Sequence, residues 1–198
     1  MSTGMIVLLV IIVTLAAYVI LIYNRMVAFR NRVRNGFAQI DVQLQRRYDL
    51  IPNLVETAKA YLTHERETLT GVIEARNQAK AAEEAVAKQP ENAEAMRQLS
   101  QAEGGLTAAL GRLFALQENY PDLKADGTMR DLMEELSSTE NRVSFARQHF
   151  NDAVMYYNTY REQFPNSLIA GPTGFMPAEQ LELDNPAEAR QPVRVSFG

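Results

Sequence analysis

One stretch constrains this chain more than any other. Met5 to Tyr23 reads MIVLLVIIVTLAAYVILIY and carries no charge. As a helix it would span roughly 28 Å, against a hydrocarbon thickness of about 30 Å. The core helix of a small domain keeps a polar face, whereas this run is apolar all round. A cleaved signal peptide needs a basic leader, a shorter apolar core and a small-residue cleavage site. Here the run leads directly into a long helical pattern. The reading is an uncleaved transmembrane helix over residues 5–23, preceded by a short end at 1–4.

Arg25, Arg30, Arg32 and Arg34 follow the span at once. The positive-inside tendency therefore predicts a cytoplasmic body and an N-terminus outside. The same four side chains are expected at the membrane surface, where each attracts anionic headgroups by about 1 kcal/mol. Charge then reverses along the chain. Residues 1–50 hold six arginines against Asp41 and Asp49, a balance of +4, and the net charge of −4 leaves −8 for the rest. An acidic body stays off an anionic bilayer. The same balance gives no basic patch for nucleic acid.

Composition narrows the chemistry. The chain is 46% hydrophobic and 22% charged, which excludes wholesale disorder. It has no cysteine, which excludes disulfides, thiolate catalysis and cysteine metal sites. Histidine is limited to His64 and His149. Neither has a glutamate three positions before it, as a di-iron bundle would require. Position 68 is threonine, so His64-Glu65 is no zincin motif. With no phosphate loop or dinucleotide fingerprint, no enzyme activity, metal or cofactor is expected.

Prolines divide the body. Five of the eight fall in the last 34 residues, so 165–198 is expected to be an irregular tail. Before it, Val33, Phe37, Ile40, Leu44, Tyr48, Ile51, Val55, Ala58 and Leu62 recur at the α-helical period. This pattern predicts a first helix over about 24–88, with Pro52 kinking or restarting it. Further helices are predicted over about 91–119 and 127–164. Long helices with short turns pack antiparallel, so an all-α bundle is expected over 24–164. Gly104, Gly105, Ala108, Ala109 and Gly111 are expected to let the third segment approach a neighbour closely.

Polar residues beside the apolar stripes complete the list of candidate sites. Glu140, Arg147, Asn151 and Asn158 share a face of the last helix. Gln43, Arg47 and Asn53 border the stripe of the first. Unpaired burial of such groups costs about 1–3 kcal/mol, so they need partners. Mutual pairing between the two helices is the plain expectation, and contact with another subunit is the alternative. Tyr156, Tyr157 and Tyr160 carry the same two readings.

These residues also form a recognisable pattern. NRMVAFRNRV, FAQIDVQLQRRYDLIPNLVETAKAY, HERETL, ALGRLFALQENYPDLKAD, ELSSTENRVSFARQHFNDAVMYYNTY and FPNSLIAGPTGF occur in this order up to Phe175. In order and spacing they resemble the LemA family of bacterial membrane proteins. The resemblance implies one N-terminal span, a long-helix bundle and a place in the bacterial inner membrane, with no established biochemical activity. It also implies organising or adaptor work, since family members accompany membrane metalloproteases or envelope components and one branch belongs to magnetosome biogenesis. Where the family commonly has Ala-Trp, this chain has Gly36-Phe37, which is expected to loosen the stalk.

The expected function is a membrane-anchored scaffold, self-associating as a homo-oligomer on the lipid bilayer. The alternative is an adaptor that docks a membrane protease or other envelope protein. A ligand carrier with a pocket between helices is a third class.

Overall fold

A computed structural model describes residues 2–182. Among them are six helices and no strands: α1 (Thr3–Lys59), α2 (Arg66–Lys88), α3 (Ala93–Gln117), α4 (Pro121–Ala125), α5 (Gly127–Glu162) and α6 (Asn166–Ala170). Helix α1 is one continuous rod of 57 residues, about 85 Å long. Its first part, up to Leu21, is exposed on every side, and no other element shields it. Burial begins at Ile22 and Met26 and then follows the predicted stripe from Val33 to Ala58. The span and the core strip of the bundle are thus parts of the same helix.

Helices α2 and α5 pack on α1, and α3 packs on α2. Helix α2 runs back along α1, so Glu91 in the α2–α3 turn reaches Arg34 at 2.5 Å. Helix α3 returns outward along α2, and α5 descends along α1. Asn92 starts α3 by accepting the N–H groups of Glu94 and Ala95. Asp126 starts α5 by accepting the Met129 N–H at 2.8 Å. At this distal end the Tyr61 hydroxyl also donates to Asp126, tying the end of α1 to the start of α5.

The predicted helix over 24–88 is in fact two helices. Residues Ala60 to Glu65 turn the chain, with no proline or glycine to mark the break. Tertiary contacts fix it: Leu62 is buried, Tyr61 bonds Asp126, and the Tyr120 hydroxyl donates to Glu65 at 3.4 Å. Pro52, the expected interruption, leaves α1 unbroken. Its missing N–H orphans the Tyr48 carbonyl four residues earlier. Arg76 of α2 fills the vacancy, its Nε donating to Tyr48 O at 2.9 Å. Arg76→Met should therefore cost about 1–3 kcal/mol, the penalty for an unsatisfied buried acceptor. Adding Pro52→Ala should shrink that loss, because alanine restores the donor within the helix. Purely additive losses in a double-mutant cycle would count against this account.

Two expectations about small residues are corrected. Gly36 does not loosen the stalk; it is buried where α5 crosses α1. A Cβ there would lie 3.2 Å from Phe150 Cα, and the Phe37 and Phe150 rings meet edge to face at 5.9 Å. Gly36→Leu should cost about 1–3 kcal/mol by overpacking; an unchanged denaturation midpoint would refute the close crossing. Gly104, Gly105, Ala108 and Gly111 face solvent, and only Ala109 of that set is buried. Met96, Leu99, Glu103, Leu106, Leu110 and Leu113 occupy the inner face of α3 instead.

The expected irregular tail is packed over its first half. Phe175, Ala178 and Leu181 are buried against the bundle. Phe175 meets the Tyr23 ring at 5.4 Å and lies under the Arg30 guanidinium at 4.9 Å. The rest of the tail, 183–198, lies outside the described residues.

Candidate functional site

Three constellations stand out, ordered outward from the membrane end. The first is the arginine collar. Arg25 lies over the rings of Phe29 and Tyr160, at 5.9 and 5.3 Å, and Arg32 lies over Phe29 at 5.3 Å. Both are exposed and can meet headgroups. Arg30 and Arg34 are committed to the fold, through Phe175 and Glu91 respectively. Burial pushes the Glu91 carboxyl up, but the hydrogen bond and charge of Arg34 outweigh it and leave the group below its ordinary range.

The second is a clasp. Asn158 Nδ2 donates to Ala178 O at 2.8 Å, while its Oδ1 accepts the Ala178 N–H at 3.0 Å. Two turns up α5, Asn151 pairs in the same two-way manner with Leu181, at 3.2 and 2.9 Å. The spacing is matched. Seven helical residues rise about 10.5 Å, and three extended residues cover about 10 Å. The side-chain amides thus act like a strand edge, holding 178–181 antiparallel to α5. The Tyr157 hydroxyl donates to Met176 O at 2.7 Å and Arg161 Nε to Phe175 O at 2.8 Å. Asn151 and Asn158 therefore take partners from the chain beyond α6, not from α1.

The third lies in mid-bundle. Arg47 Nη1 donates to Glu103 of α3 at 2.8 Å and meets Glu140 of α5 at 3.1 Å. Its Nη2 donates to Thr107 at 3.3 Å. The Tyr48 hydroxyl donates to the other Glu103 oxygen at 2.5 Å. The Arg47 and Glu103 side chains are only 4% and 1% exposed. Burial pushes the Glu103 carboxyl above its usual range, and the charge of Arg47 with the Tyr48 hydrogen bond offsets that only in part. Burial, then the Glu103 charge and hydrogen bond, drive the Tyr48 hydroxyl far up, so it stays a donor.

Of the other candidates, Gln43, Asn53 and Tyr156 stay apart from these groups. Asn53 is exposed, and Arg147 is half-buried on α5. Gln43 is half-buried with an unpartnered Oε1. Tyr156 is exposed, Tyr157 belongs to the clasp, and Tyr160 stacks on Phe29 at 5.1 Å. Sequence reasoning missed Glu103, although its signal was legible: a carboxylate inside the apolar stripe between Leu99 and Leu106. Glu83 carries the same signal between Ala79 and Val86, and it is buried with both oxygens unpartnered. Glu83→Gln removes that buried charge with little change of shape. It should leave the domain as stable or more so in thermal unfolding; a marked loss would mean that the carboxylate has an unseen partner.

An open groove of about 620 Å³ lies where α1 turns into α2, lined by Val55, Leu62, Leu69 and Ile73 among others. Among the described residues no group of three or more His, Asp or Glu side chains is placed to hold a metal ion. What the arrangement offers is a rigid mount, a basic aromatic collar and polar clasps.

The LemA family model matches residues 36–197, most of the chain. This chain belongs to the LemA family. Two relatives from Paramagnetospirillum magneticum, magnetosome proteins MamQ 1 and MamQ 2, are each 27% identical, over 86% of this chain and 68% of theirs. Magnetosome protein MamQ of Magnetospirillum gryphiswaldense is 26% identical, over 79% of this chain and 63% of its own. The matched region takes in the Arg47 network and the clasp of this LemA-family chain, while the collar and the span precede it on the same helix.

Proposed function

We propose that this LemA-family protein is a non-enzymatic scaffold, anchored in the bacterial inner membrane and self-associating through its helical domain. The observation that carries this reading is the continuity of α1, which leaves no flexible joint between span and bundle. Copies held in one bilayer then share height and tilt, and confinement raises their effective concentration. The basic collar after the span supports a cytoplasmic domain. Phe145 and Tyr156 support self-association: both are exposed, and their eleven-residue spacing puts them on one face of α5. The relatives' designation as magnetosome proteins is consistent with an organising role.

The test is the mass and protein content of the complex after gentle detergent extraction from native membranes. Many copies of this chain alone would support the scaffold. Phe145→Glu with Tyr156→Glu should then reduce the particle to one copy while leaving the melting of the domain unchanged. A single copy from native membranes would overturn self-association. A particle shared with a protease or another envelope protein would establish the adaptor reading instead.

A further inference from the structure

The membrane end of the bundle carries a second apolar feature besides the span. From Gln163 to Ala178 there is no charged residue, the longest such run after the span. It covers the corner between α5 and α6. Phe164 is 81% exposed and Leu168 66% exposed, so the bundle leaves both uncovered. An open cleft of about 690 Å³ separates Phe164 and Pro165 from Tyr18, Leu21 and Ile22 of α1. These α1 residues belong to the apolar run. Tyr18 lies five residues, about 7.5 Å, inside its Tyr23 end. The corner is therefore level with the last turns of the membrane-spanning segment.

We propose that the α5–α6 corner is a second membrane contact, with Phe164 and Leu168 inserted among lipid chains beside the span. The register allows little else. If residues 5–23 cross the bilayer, a group level with Tyr18 and Leu21 lies at the headgroup–acyl boundary, where interfacial apolar side chains bury by about 5–10 Å. The surroundings fit lipid. Arg25 sits on the rim of the cleft, stacked on Tyr160, an aromatic and basic pairing suited to headgroups. The corner is also braced: Asn166 Nδ2 donates to Tyr160 O at 2.8 Å, and Arg161 holds Phe175 O. The cleft between corner and span would be filled by acyl chains.

The inference rests on the reading that α1 crosses the membrane, and one experiment separates the two. The chain has no cysteine, so single cysteines can be introduced at Leu15, Ala108, Phe164 and Leu168 of the full-length protein and labelled with an environment-sensitive fluorophore. Each is reconstituted in phosphatidylethanolamine–phosphatidylglycerol vesicles containing nitroxide-labelled lipid. Position 15 reports the span. Position 108 is an exposed site on α3 of the bundle. Blue-shifted, strongly quenched emission at 15, 164 and 168, with water-like emission at 108, is expected. Quenching at 15 alone would overturn the corner contact and leave the anchor standing. No quenching at any site would overturn both. Protection at 164 and 168 that fades as protein is diluted in lipid would assign the corner to a second copy and overturn the proposal. Matched helicity of the labelled proteins guards against misfolding.

Discussion

Replacing Arg47 with methionine should destabilise the helical domain by about 3–5 kcal/mol at neutral pH, the range for breaking a buried ion pair by removing one partner. The cause is what remains. Glu103 would keep its buried carboxylate with only the Tyr48 hydroxyl as partner, and Glu140 would lose a cation. The loss should depend on pH with a definite sign. Burial already raises Glu103 above its unfolded value, and Arg47 is the main influence holding it down. Such a group contributes stability that is complete below the unfolded value, about 4.3, and is lost as pH rises through the folded value. Without Arg47 the folded value rises further. The gap between variant and parent should therefore narrow as pH falls from 7 towards that value. Chemical denaturation at several pH values measures it, and a gap independent of pH would sink the argument. Adding Glu103→Leu should recover part of the loss, leaving the Tyr48 hydroxyl without its acceptor.

The second large effect is expected at the clasp. Asn151→Leu with Asn158→Leu removes four hydrogen bonds to backbone groups of Ala178 and Leu181. At about 0.5–1.5 kcal/mol net for each bond, the segment loses about 2–6 kcal/mol of docking energy. That loss is local. Phe175 still has Tyr23 and Arg30 above it, and the α1–α5 core is untouched. Hydrogen exchange at Ala178 and Leu181 should accelerate strongly, while amides in mid-α5 keep their protection. Equal acceleration throughout α5 would mean that the clasp supports the whole helix.

How much of this was legible depended on whether the cause was local. The stripe from Val33 to Ala58 announces itself because a 3.6-residue period is written into neighbouring residues. The Ala60–Glu65 turn is not, because Leu62, Tyr61 and Glu65 are held by groups far along the chain. Pro52 misleads for the mirror-image reason: its local signal is strong, but Arg76 cancels it from another helix. Arg47 could be singled out by its place beside Leu44 and Tyr48. Its partner Glu103 could be found only by reading a carboxylate in an apolar stripe as a demand for a cation. The clasp was hidden by five late prolines, which exclude regular helix and do not exclude an extended segment held by side chains.

The unbroken α1 has a mechanical consequence. From Asn24 to Lys59 it reaches about 54 Å beyond the apolar run. Spans tilt by about 20° on average, and such a tilt would carry the far end of that arm about 18 Å sideways. A change of bilayer thickness small enough to alter only the tilt would thus be amplified at the tip. If residues 5–23 cross the bilayer, the helix is a lever whose short arm lies in the lipid and whose long arm multiplies any tilt at its tip.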